Sequence, residues 1–269
     1  MRAIAHISDL HFGRHDPLIA EALLADLAAE KLDLVAVSGD LTQRARRQEF
    51  AAAREFLDRL VAPVIAVPGN HDVPLYNPLR RVFRPLERFR RHITAQHNPF
   101  FADAELAVLG INTARAASFS NGRISHRQMD EIRALFAQLS GEHFRVLVTH
   151  HPLLPPLFAP DRQIVGRAEP ALEAVAKAGV DLLLTGHYHQ ASSRNVTSHH
   201  LTTKRTVLVS QAGTAISTRR RGEVNSYNFI RVDGRRRVSC EQREWDGSRF
   251  TTTTAEHYRH FDGHWSTHD

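Results

Sequence analysis

The sequence predicts an α/β protein, because short buried strands alternate with amphipathic helices along the chain. Five apolar runs rich in Val, Ile and Leu show little alternation, which is typical of strands covered on both faces. Helical patterns occupy residues 17–31 and 47–61, where apolar side chains recur on one stripe. Alternation of strand and helix is typical of an α/β sheet. The five apolar runs are 3–7, 34–37, 64–67, 146–148 and 182–184.

A polar cluster follows each of these five runs. Because side chains at the ends of neighbouring strands converge, we expect the clusters to meet in space. Their carboxylate, amide and imidazole groups are of the kinds that bind metal ions in proteins. The clusters are Asp9-Leu10-His11, Gly39-Asp40, Gly69-Asn70-His71-Asp72, His150-His151-Pro152 and Gly186-His187-Tyr188-His189.

Seven side chains in the clusters are candidate metal ligands, which is more than a single ion needs. A catalytic zinc site uses about three protein ligands. Seven donors, with one carboxylate shared, suit two cations roughly 3.5–4 Å apart, the spacing used by phosphatases and nucleases. Nitrogen and oxygen donors without thiolate suit Zn, Mn, Fe or Co, and the sequence does not choose among them. The candidate ligands are Asp9, His11, Asp40, Asn70, His150, His187 and His189.

The ordered set of five clusters, within residues 4–189, resembles the signature of the calcineurin-like metallophosphoesterases. The resemblance implies a four-layer α/β sandwich of two mixed β-sheets flanked by helices, with a dinuclear metal site at the C-terminal ends of the strands. It also implies which side chains hold each ion. The first ion would be held by Asp9, His11, Asp40 and His189, and the second by Asp40, Asn70, His150 and His187.

A further segment is similar to one in the class III cyclic-nucleotide phosphodiesterases. It consists of Ile111-Asn112-Thr113, then Gly122-Arg123-Ile124-Ser125 and Gln128. This resemblance implies hydrolysis of a phosphodiester, such as a cyclic nucleotide or another small diester, by attack of a metal-bridging hydroxide. The alternatives are a lipid pyrophosphate hydrolase acting at an anionic membrane surface, a nuclease, and an inactive metal-binding scaffold. A scaffold needs no proton donor for a leaving group, so the presence of His71 argues against it.

His71 and Asp72 are the candidate catalytic residues. His71 directly follows the proposed ligand Asn70, so it is tethered near the phosphate and can donate a proton to the leaving oxygen. The resemblance implies the same role for it. Asp72 either holds the His71 ring in one tautomer or caps a turn.

Two further histidines are close to the clusters without being assigned as ligands. His151 is a candidate ligand, a residue beside the ligands or a packed histidine, and the family pattern places the ligand at His150 instead. His6 alternates with Ile7 in the first apolar run, so we expect it to be a histidine of the core.

The positive charge of the chain is concentrated in residues 79–93. The formal net charge is +6, and six arginines against one glutamate give +5 within this segment. Its apolar residues recur at helical spacing, which predicts an amphipathic helix with the arginines largely opposite the apolar face. Pro85 predicts either a kink or the start of a second helix. The arginines either form a solvated face or bind an anionic nucleotide, nucleic acid or lipid headgroup through Arg80, Arg84 and Arg88.

We expect one metallophosphoesterase domain over residues 1–250, with a helical insertion at about 74–98 and a flexible tail at 251–269. A capping box of Ser125 and Gln128 predicts the start of a helix. Histidines three to four residues apart in the tail would line one face of a continuous helix and bind metal, but Gly263 and a run of four threonines argue against that helix. These histidines are His257, His260, His264 and His268.

The remaining composition suits a cytoplasmic protein. Cys240 is the one cysteine, so no disulfide forms within the chain. The N-terminal residues lead directly into the first apolar run without the pattern of a signal peptide. No apolar run approaches the roughly 18 residues that a membrane span needs.

Overall fold

The fold consists of two β-sheets stacked face to face, with helices on the outer face of each sheet. The computed structural model describes residues 1–155, 161–196, 206–220 and 222–268. In chain order the elements are β1 (Arg2–Ile7), α1 (Pro17–Ala29), β2 (Leu34–Val37), α2 (Arg47–Asp58), β3 (Val64–Ala66), a 3₁₀ turn (Asn70–Asp72), α3 (Pro78–Phe83), α4 (Glu87–His92), β4 (Phe100–Ala102), β5 (Leu106–Gly110), α5 (His126–Ala137), β6 (Phe144–Val148), α6 (Ala168–Lys177), β7 (Leu182–Thr185), β8 (Ser192–Val196), β9 (Val207–Gln211), β10 (Ser226–Asp233), β11 (Arg237–Trp245), β12 (Phe250–Phe261) and β13 (His264–Thr267).

Both sheets mix parallel and antiparallel strands. The first has the order β13-β12-β11-β10-β1-β2-β3, and the second has the order β4-β5-β6-β7-β9-β8. The parallel strands are β1 to β3 in the first sheet and β5, β6, β7 and β9 in the second. Helices connect most of these parallel strands, so their C-terminal ends share one edge of each sheet.

Alternate residues of the central strands face two different apolar layers. In β1, Ile4 lies in the layer between the sheets, whereas Ala5 and Ile7 pack with side chains of α1 and α2 on the outer face. In β6, Val146 faces the layer between the sheets and Leu147 packs with α5 and α6. The predicted four-layer α/β sandwich is therefore confirmed, and burial on both faces explains the unbroken apolar runs.

Two helix starts follow from local hydrogen bonds. Asp16 accepts a bond from the backbone N–H of Leu18 at 3.0 Å, and Pro17 occupies the first helical position of α1. Ser125 and Gln128 form the predicted capping box before α5, since each side chain bonds the backbone N–H of the other at 3.0–3.2 Å. The start of α5 fixes the preceding loop, which approaches the site described below.

The segment expected to be a helical insertion contains α3 and α4, which Pro85 separates. Arg81 of α3 is buried, and its guanidinium donates to backbone carbonyl oxygens outside the helix at 2.6–3.1 Å. These bonds fix the rotation of α3 about its axis. The bonded carbonyls belong to Pro74, Ala116 and Ser118.

The orientation of α3 differs from the prediction. Its apolar side chains Leu79, Val82 and Phe83 are exposed, by 66–76%, although the sequence predicts that they are buried opposite the arginines. Burial of one charged group that satisfies three carbonyls has decided the rotation instead of apolar burial. In α4 the prediction holds, because Phe89 is 3% exposed and packs against the first sheet and its helices.

The three arginines proposed to bind an anionic partner have contacts within the chain. Arg80 and Arg84 lie 3.5 and 3.1 Å from Glu87 oxygens in ion pairs at the surface. Arg88 donates to the carbonyl oxygen of Ala45 at 2.6 Å and so braces α4 against the loop before α2. Arg88 therefore has a structural role, whereas Arg80 and Arg84 remain at the surface.

The C-terminal residues form a β-hairpin rather than the flexible tail expected from the sequence. β12 pairs with β11 along its length, and β13 pairs back onto β12. Trp265 is 2% exposed, and its ring centre lies 6.1 Å from that of Phe144 in the second sheet. The hairpin therefore closes part of the layer between the sheets. The threonine run, which argued against a helix, suits an extended strand, because β-branched residues favour strands.

Three of the four histidines of this region lie on strands and His268 follows the last strand, so the helical metal site considered from the sequence is wrong. His257 and His260 belong to β12 and His264 to β13. Cys240 is buried in the layer between the sheets, where its thiol lies 3.6 Å from Ser210 Oγ. No helix in the described parts of the chain has both the length and the apolar character needed to cross a membrane.

Packing of the hairpin predicts that substitutions at two of its aromatic positions differ greatly in their effect on the free energy of unfolding. Trp265→Ala should lower the free energy of unfolding by about 3–5 kcal/mol, because a buried aromatic ring is lost from the core. Phe261→Ala removes a ring that is 76% exposed and should change that free energy by no more than about 0.5 kcal/mol. Urea unfolding of both variants measures the difference. Equal, small changes would show that the hairpin does not pack on the sheets.

Candidate metal centre

The five polar clusters meet where the C-terminal edges of the two sheets come together. They occupy the loops that follow β1, β2, β3, β6 and β7. Backbone bonds join neighbouring loops: the Asp9 N–H donates to Gly39 at 3.1 Å, and the Gly186 N–H donates to His150 at 3.1 Å. The sandwich therefore brings residues from distant parts of the sequence into one site.

The first group of donor atoms is formed by Asp9, His11, Asp40 and His189, all of which are buried. Asp9 Oδ1 lies 3.2 Å from His189 Nε2, which lies 3.3 Å from His11 Nε2. His11 Nε2 lies 3.7 Å from Asp9 Oδ1 and 3.8 Å from Asp40 Oδ2. These four residues are the set that the resemblance assigns to the first ion.

The second group joins Asp40 to Asn70, His150 and His187. His150 Nε2 lies 3.5 Å from Asp40 Oδ2, 3.3 Å from Asn70 Oδ1 and 3.3 Å from His187 Nδ1. Asp40 Oδ2 therefore faces donors of both groups. All seven predicted ligands lie in one site, with the shared carboxylate between the two groups.

The orientation of the donor atoms fits bound metal ions. Asp9 Oδ1 is buried and has no hydrogen-bond partner among the described residues, although a buried carboxylate oxygen normally has one. The other oxygen, Oδ2, accepts bonds from Ser8 Oγ at 2.6 Å and from the His187 N–H at 3.0 Å. One oxygen is thus fixed by the protein and the other is directed at the donor cluster, as in many metal sites.

Two histidine rings are held by hydrogen bonds on the side away from the cluster. His150 Nδ1 bonds the carbonyl oxygen of Ser38 at 2.7 Å, and His189 Nδ1 bonds that of Arg219 at 3.0 Å. Because each Nδ1–H donates to a carbonyl, the Nε2 lone pair of both rings is directed into the site.

The ligand loops have strained backbone conformations. Five of the proposed ligands are among the eight described non-glycine residues with positive φ, at values from 48° to 77°. Each such residue typically costs of order 1–3 kcal/mol and persists where the surrounding structure enforces it. Gly69 and Gly186 allow the close approach of the loops, since a Cβ there would collide with Asp40 and Ser8 respectively. The five ligands are Asp9, His11, Asp40, His187 and His189.

The carboxylates of the site are held ionised. Burial alone would raise the pKa of Asp40, but the nearby imidazoles of His150 and His71 hold it well below its usual range. For His150, burial lowers the pKa, yet the charge of Asp40 outweighs it and raises the pKa to about 9. Binding of a metal ion at His150 Nε2 would therefore displace a proton from this ring.

His71 lies at the wall of the cavity that contains the metal ligands. Its backbone N–H donates to Asp40 Oδ1 at 2.8 Å, which ties it to the shared carboxylate. Ring atom Nδ1 lies 2.9 Å from the carbonyl oxygen of Gln43, and Nε2 lies 3.1 Å from an Arg219 nitrogen. The cavity has a volume of about 420 Å³ and is lined by Asp40, Asn70, His187 and His189 among others.

Asp72 caps the turn and does not hold the His71 ring. Its oxygens accept bonds from the N–H groups of Leu41, Thr42 and Gly69 at 2.9–3.1 Å. Thr42 Oγ1 donates a further bond at 2.8 Å. The tautomer role considered for Asp72 is therefore wrong, because Gln43 supplies the ring's partner. Burial and then the charge of Asp40 raise the pKa of Asp72 to about 6.

His151 and His6 lie beside the ligands. His151 Nδ1 lies 2.7 Å from Thr113 Oγ1, and its ring is tilted against that of His187 at 4.8 Å. His6 is fully buried and bonds Ser38 Oγ at 2.9 Å; burial lowers the pKa of its ring to about 3, so it stays neutral. His6 thus supports Ser38, which accepts the Nδ1–H of His150, whereas His151 packs directly against the proposed ligand His187.

Several residues that line the cavity or contact His71 could not be identified from the sequence motifs. Arg219 reaches His71 from the loop after β9, and the sequence signal that could have indicated it is the run Arg219-Arg220-Arg221. Tyr188 stands between two ligands and donates its hydroxyl to the carbonyl oxygen of Gln163 at 2.6 Å. Phe119, Asn121 and Arg162 complete this wall without any sequence pattern that marks them.

Similar sequences include known phosphodiesterases. A probable cyclic nucleotide phosphodiesterase of Synechococcus sp. is 28% identical over 203 residues, which is 70% of this chain and 74% of that protein. The 3′,5′-cyclic adenosine monophosphate phosphodiesterase of Escherichia coli K12 is 28% identical over 205 residues, 70% of this chain and 69% of that protein. A glycerophosphodiester phosphodiesterase of Enterobacter lignolyticus is 36% identical over 80 residues, 26% of this chain and 29% of that protein.

Similar structures show the same fold at low sequence identity. A purple acid phosphatase of yellow lupin superposes with a TM-score of 0.65 at 12% identity, over 93% of this chain and 52% of that one. A dimetal phosphatase of Danio rerio superposes with a TM-score of 0.61 at 14% identity, over 94% of this chain and 98% of that one. The model of the calcineurin-like phosphoesterase family matches residues 2–191, which contain all five clusters, and the chain belongs to this family.

Proposed function

We propose that this metal-dependent phosphoester hydrolase acts on small phosphodiesters, cyclic nucleotides among them, with two metal ions. The observation that carries the proposal is the shared Asp40 Oδ2, which lies within 3.8 Å of a donor in each ligand group. Relatives named as cyclic nucleotide or glycerophosphodiester phosphodiesterases support a diester substrate.

Asp9, His11 and His189 would hold one ion, Asn70, His150 and His187 would hold the other, and Asp40 would contact both. Bound divalent ions supply positive charge against the phosphoryl oxygens and lower the pKa of water, so that it becomes a nucleophile near neutral pH. The nitrogen and oxygen donors suit Mn, Fe, Zn or Co.

His71 is placed to assist departure of the leaving alcohol. With the Nδ1–H donating to Gln43, a second proton on Nε2 makes the ring an acid that faces the cavity. That proton can pass to the leaving oxygen as the bond to phosphorus breaks. Arg219 lies 3.1 Å from Nε2, and because a guanidinium only donates, Nε2 accepts its N–H in this structure. Protonation of Nε2 for catalysis therefore requires that this bond opens.

The exposed apolar face of α3 favours a second candidate, a lipid pyrophosphate or phospholipid hydrolysed at an anionic membrane surface. Leu79, Val82 and Phe83 are exposed beside the surface cations Arg80 and Arg84. For a small substrate we expect no cosedimentation with anionic vesicles at moderate salt. Cosedimentation that is lost when Leu79, Val82 and Phe83 become Ser would instead favour the lipid candidate.

Loss of the shared carboxylate should remove metal and activity together. Asp40→Ala should retain fewer than two ions per chain and should hydrolyse no diester, because each group of donors loses a member. Elemental analysis and turnover are measured on the same preparation. Asp130→Ala, at an exposed position of α5, is the control and should match the wild type. Two ions and full activity in Asp40→Ala would contradict a dinuclear site.

His71→Ala should affect catalysis more than metal content. General acid catalysis contributes about 10²–10⁴-fold to the rate, so turnover of an alkyl or ribose diester should decrease by a factor in that range. A nitrophenyl diester should lose less, since its leaving group needs little protonation. His97→Ala, at an exposed position, is the control. Equal losses on the two substrates would show that His71 does not protonate the leaving oxygen.

Diesters should be hydrolysed faster than monoesters with the same leaving group. A diester carries one fewer negative charge on phosphorus, so the site has less charge to compensate. The measurement is kcat/KM for the metal-loaded protein on nitrophenyl diesters and nitrophenyl phosphate, together with cyclic nucleotides. A clear preference for the monoester would place the chain among the monoesterases of the family.

A further inference from the structure

A second cavity is lined by the two residues that bond the His71 ring, Gln43 and Arg219, and by none of the seven proposed metal ligands. It has a volume of about 380 Å³ and is lined by Arg14, Arg44, Arg46 and Arg219, with Gln43 and Glu49. The arginines come from three separate parts of the chain: the loop after β1, the loop before α2 and the loop after β9. The fold has therefore brought four guanidinium groups around one open space.

The positive charge of this cavity is only partly compensated within it. Glu49 is its single carboxylate, and Glu49 Oε2 accepts the backbone N–H groups of Arg44 at 2.8 Å and Arg46 at 3.1 Å. Among ion pairs between described residues, none includes the guanidinium of Arg14, Arg44 or Arg46. A cluster of guanidinium groups of this kind suits a phosphate, which accepts several charge-assisted hydrogen bonds.

The ring of His71 connects this cavity with the metal centre. His71 itself lines the cavity of the metal ligands, whereas its two ring partners, Gln43 and Arg219, line the arginine cavity. Arg219 of the arginine cavity thus contacts Nε2, the atom proposed to protonate the leaving oxygen. A group bound there would belong to the leaving alcohol.

We propose that the arginine cavity binds a second phosphate group carried by the leaving alcohol, so that the substrate is a phosphodiester of a phosphorylated alcohol. This inference rests on the proposed diesterase function. Water adds its oxygen to phosphorus and gives a proton to solvent, and the bond from phosphorus to the leaving oxygen breaks. The leaving oxygen takes a proton from His71, and His71 regains one from solvent. The alcohol departs with its own phosphate intact.

Thymidine dinucleotides with and without a terminal phosphate test the proposal. The substrates are TpT, pTpT and TpTp, because the two terminal positions cover departure of either nucleoside. One phosphorylated dinucleotide should show a kcat/KM at least about tenfold above that of TpT, as expected for charge-assisted bonds to one phosphate. Equal kcat/KM for all three substrates would overturn the inference.

Substitutions of exposed arginines test whether the terminal phosphate of the substrate binds in the arginine cavity. Arg14 and Arg46 are both exposed, so the double variant Arg14→Gln and Arg46→Gln should fold, and it should lose most of the advantage of the phosphorylated substrate over TpT. Arg91→Gln, at an exposed arginine of α4 outside the cavity, is the control and should keep that ratio. An equal loss in the control would overturn the cavity as the binding site, because overall charge would then explain the preference.

A substrate whose leaving group carries no phosphate separates this inference from the proposed function. Bis(4-nitrophenyl) phosphate carries no second phosphate, so its hydrolysis by the metal-loaded protein reports the diesterase alone. If this substrate is hydrolysed and terminal phosphates do not change kcat/KM of the dinucleotides, only the inference about the arginine cavity is overturned. Failure to hydrolyse any of the diesters would overturn the proposed function and the inference with it.

Discussion

The site depends on one buried carboxylate, that of Asp40. Its Oδ2 faces donors of both ligand groups, and its Oδ1 accepts the backbone N–H of His71. The same side chain therefore sets the distance between the two groups and the position of the candidate acid. A buried carboxylate without compensating charge is costly, and here the surrounding imidazoles compensate it and hold its pKa low. Cations bound to both groups would take over that compensation.

The sandwich supplies this arrangement by joining two sheets whose parallel strands end at a common edge. Asp9 and Asp40 follow strands of the first sheet, and His150 and His187 follow strands of the second. The layer between the sheets contains apolar residues of both, so its packing holds the ligand loops together. Packing of this kind can maintain the positive φ of residues such as His187, because relaxing one loop would displace its neighbours.

Sequence alone could predict the five strands that precede the polar clusters and the seven candidate donors that follow them, because each of these strands is a short apolar run and each donor follows one closely. The layered arrangement followed from the family resemblance. The C-terminal hairpin could not be predicted, since β12 is largely polar with one exposed face and resembles a loop in composition. The rotation of α3 about its axis could not be predicted from the sequence either. It depends on carbonyl groups that accept bonds from Arg81, and two of these groups lie more than 30 residues away in the chain. The role of Asp72 required the same kind of information, namely which N–H groups surround it.

The metal ligands can be recognised from a sequence motif, whereas the residues around them cannot. Donor atoms must occupy fixed positions after strands, so they leave a pattern in the sequence that identifies the chemistry. Arg14 and Arg219 reach their cavity from loops about 200 residues apart, so the grouping exists only in the folded chain. Substrate choice depends on such groupings, because bound ions would contact only the phosphoryl group, whereas the walls contact the rest of the molecule. Members of one family that share all seven donors can therefore differ in substrate through a few arginines that no short motif records.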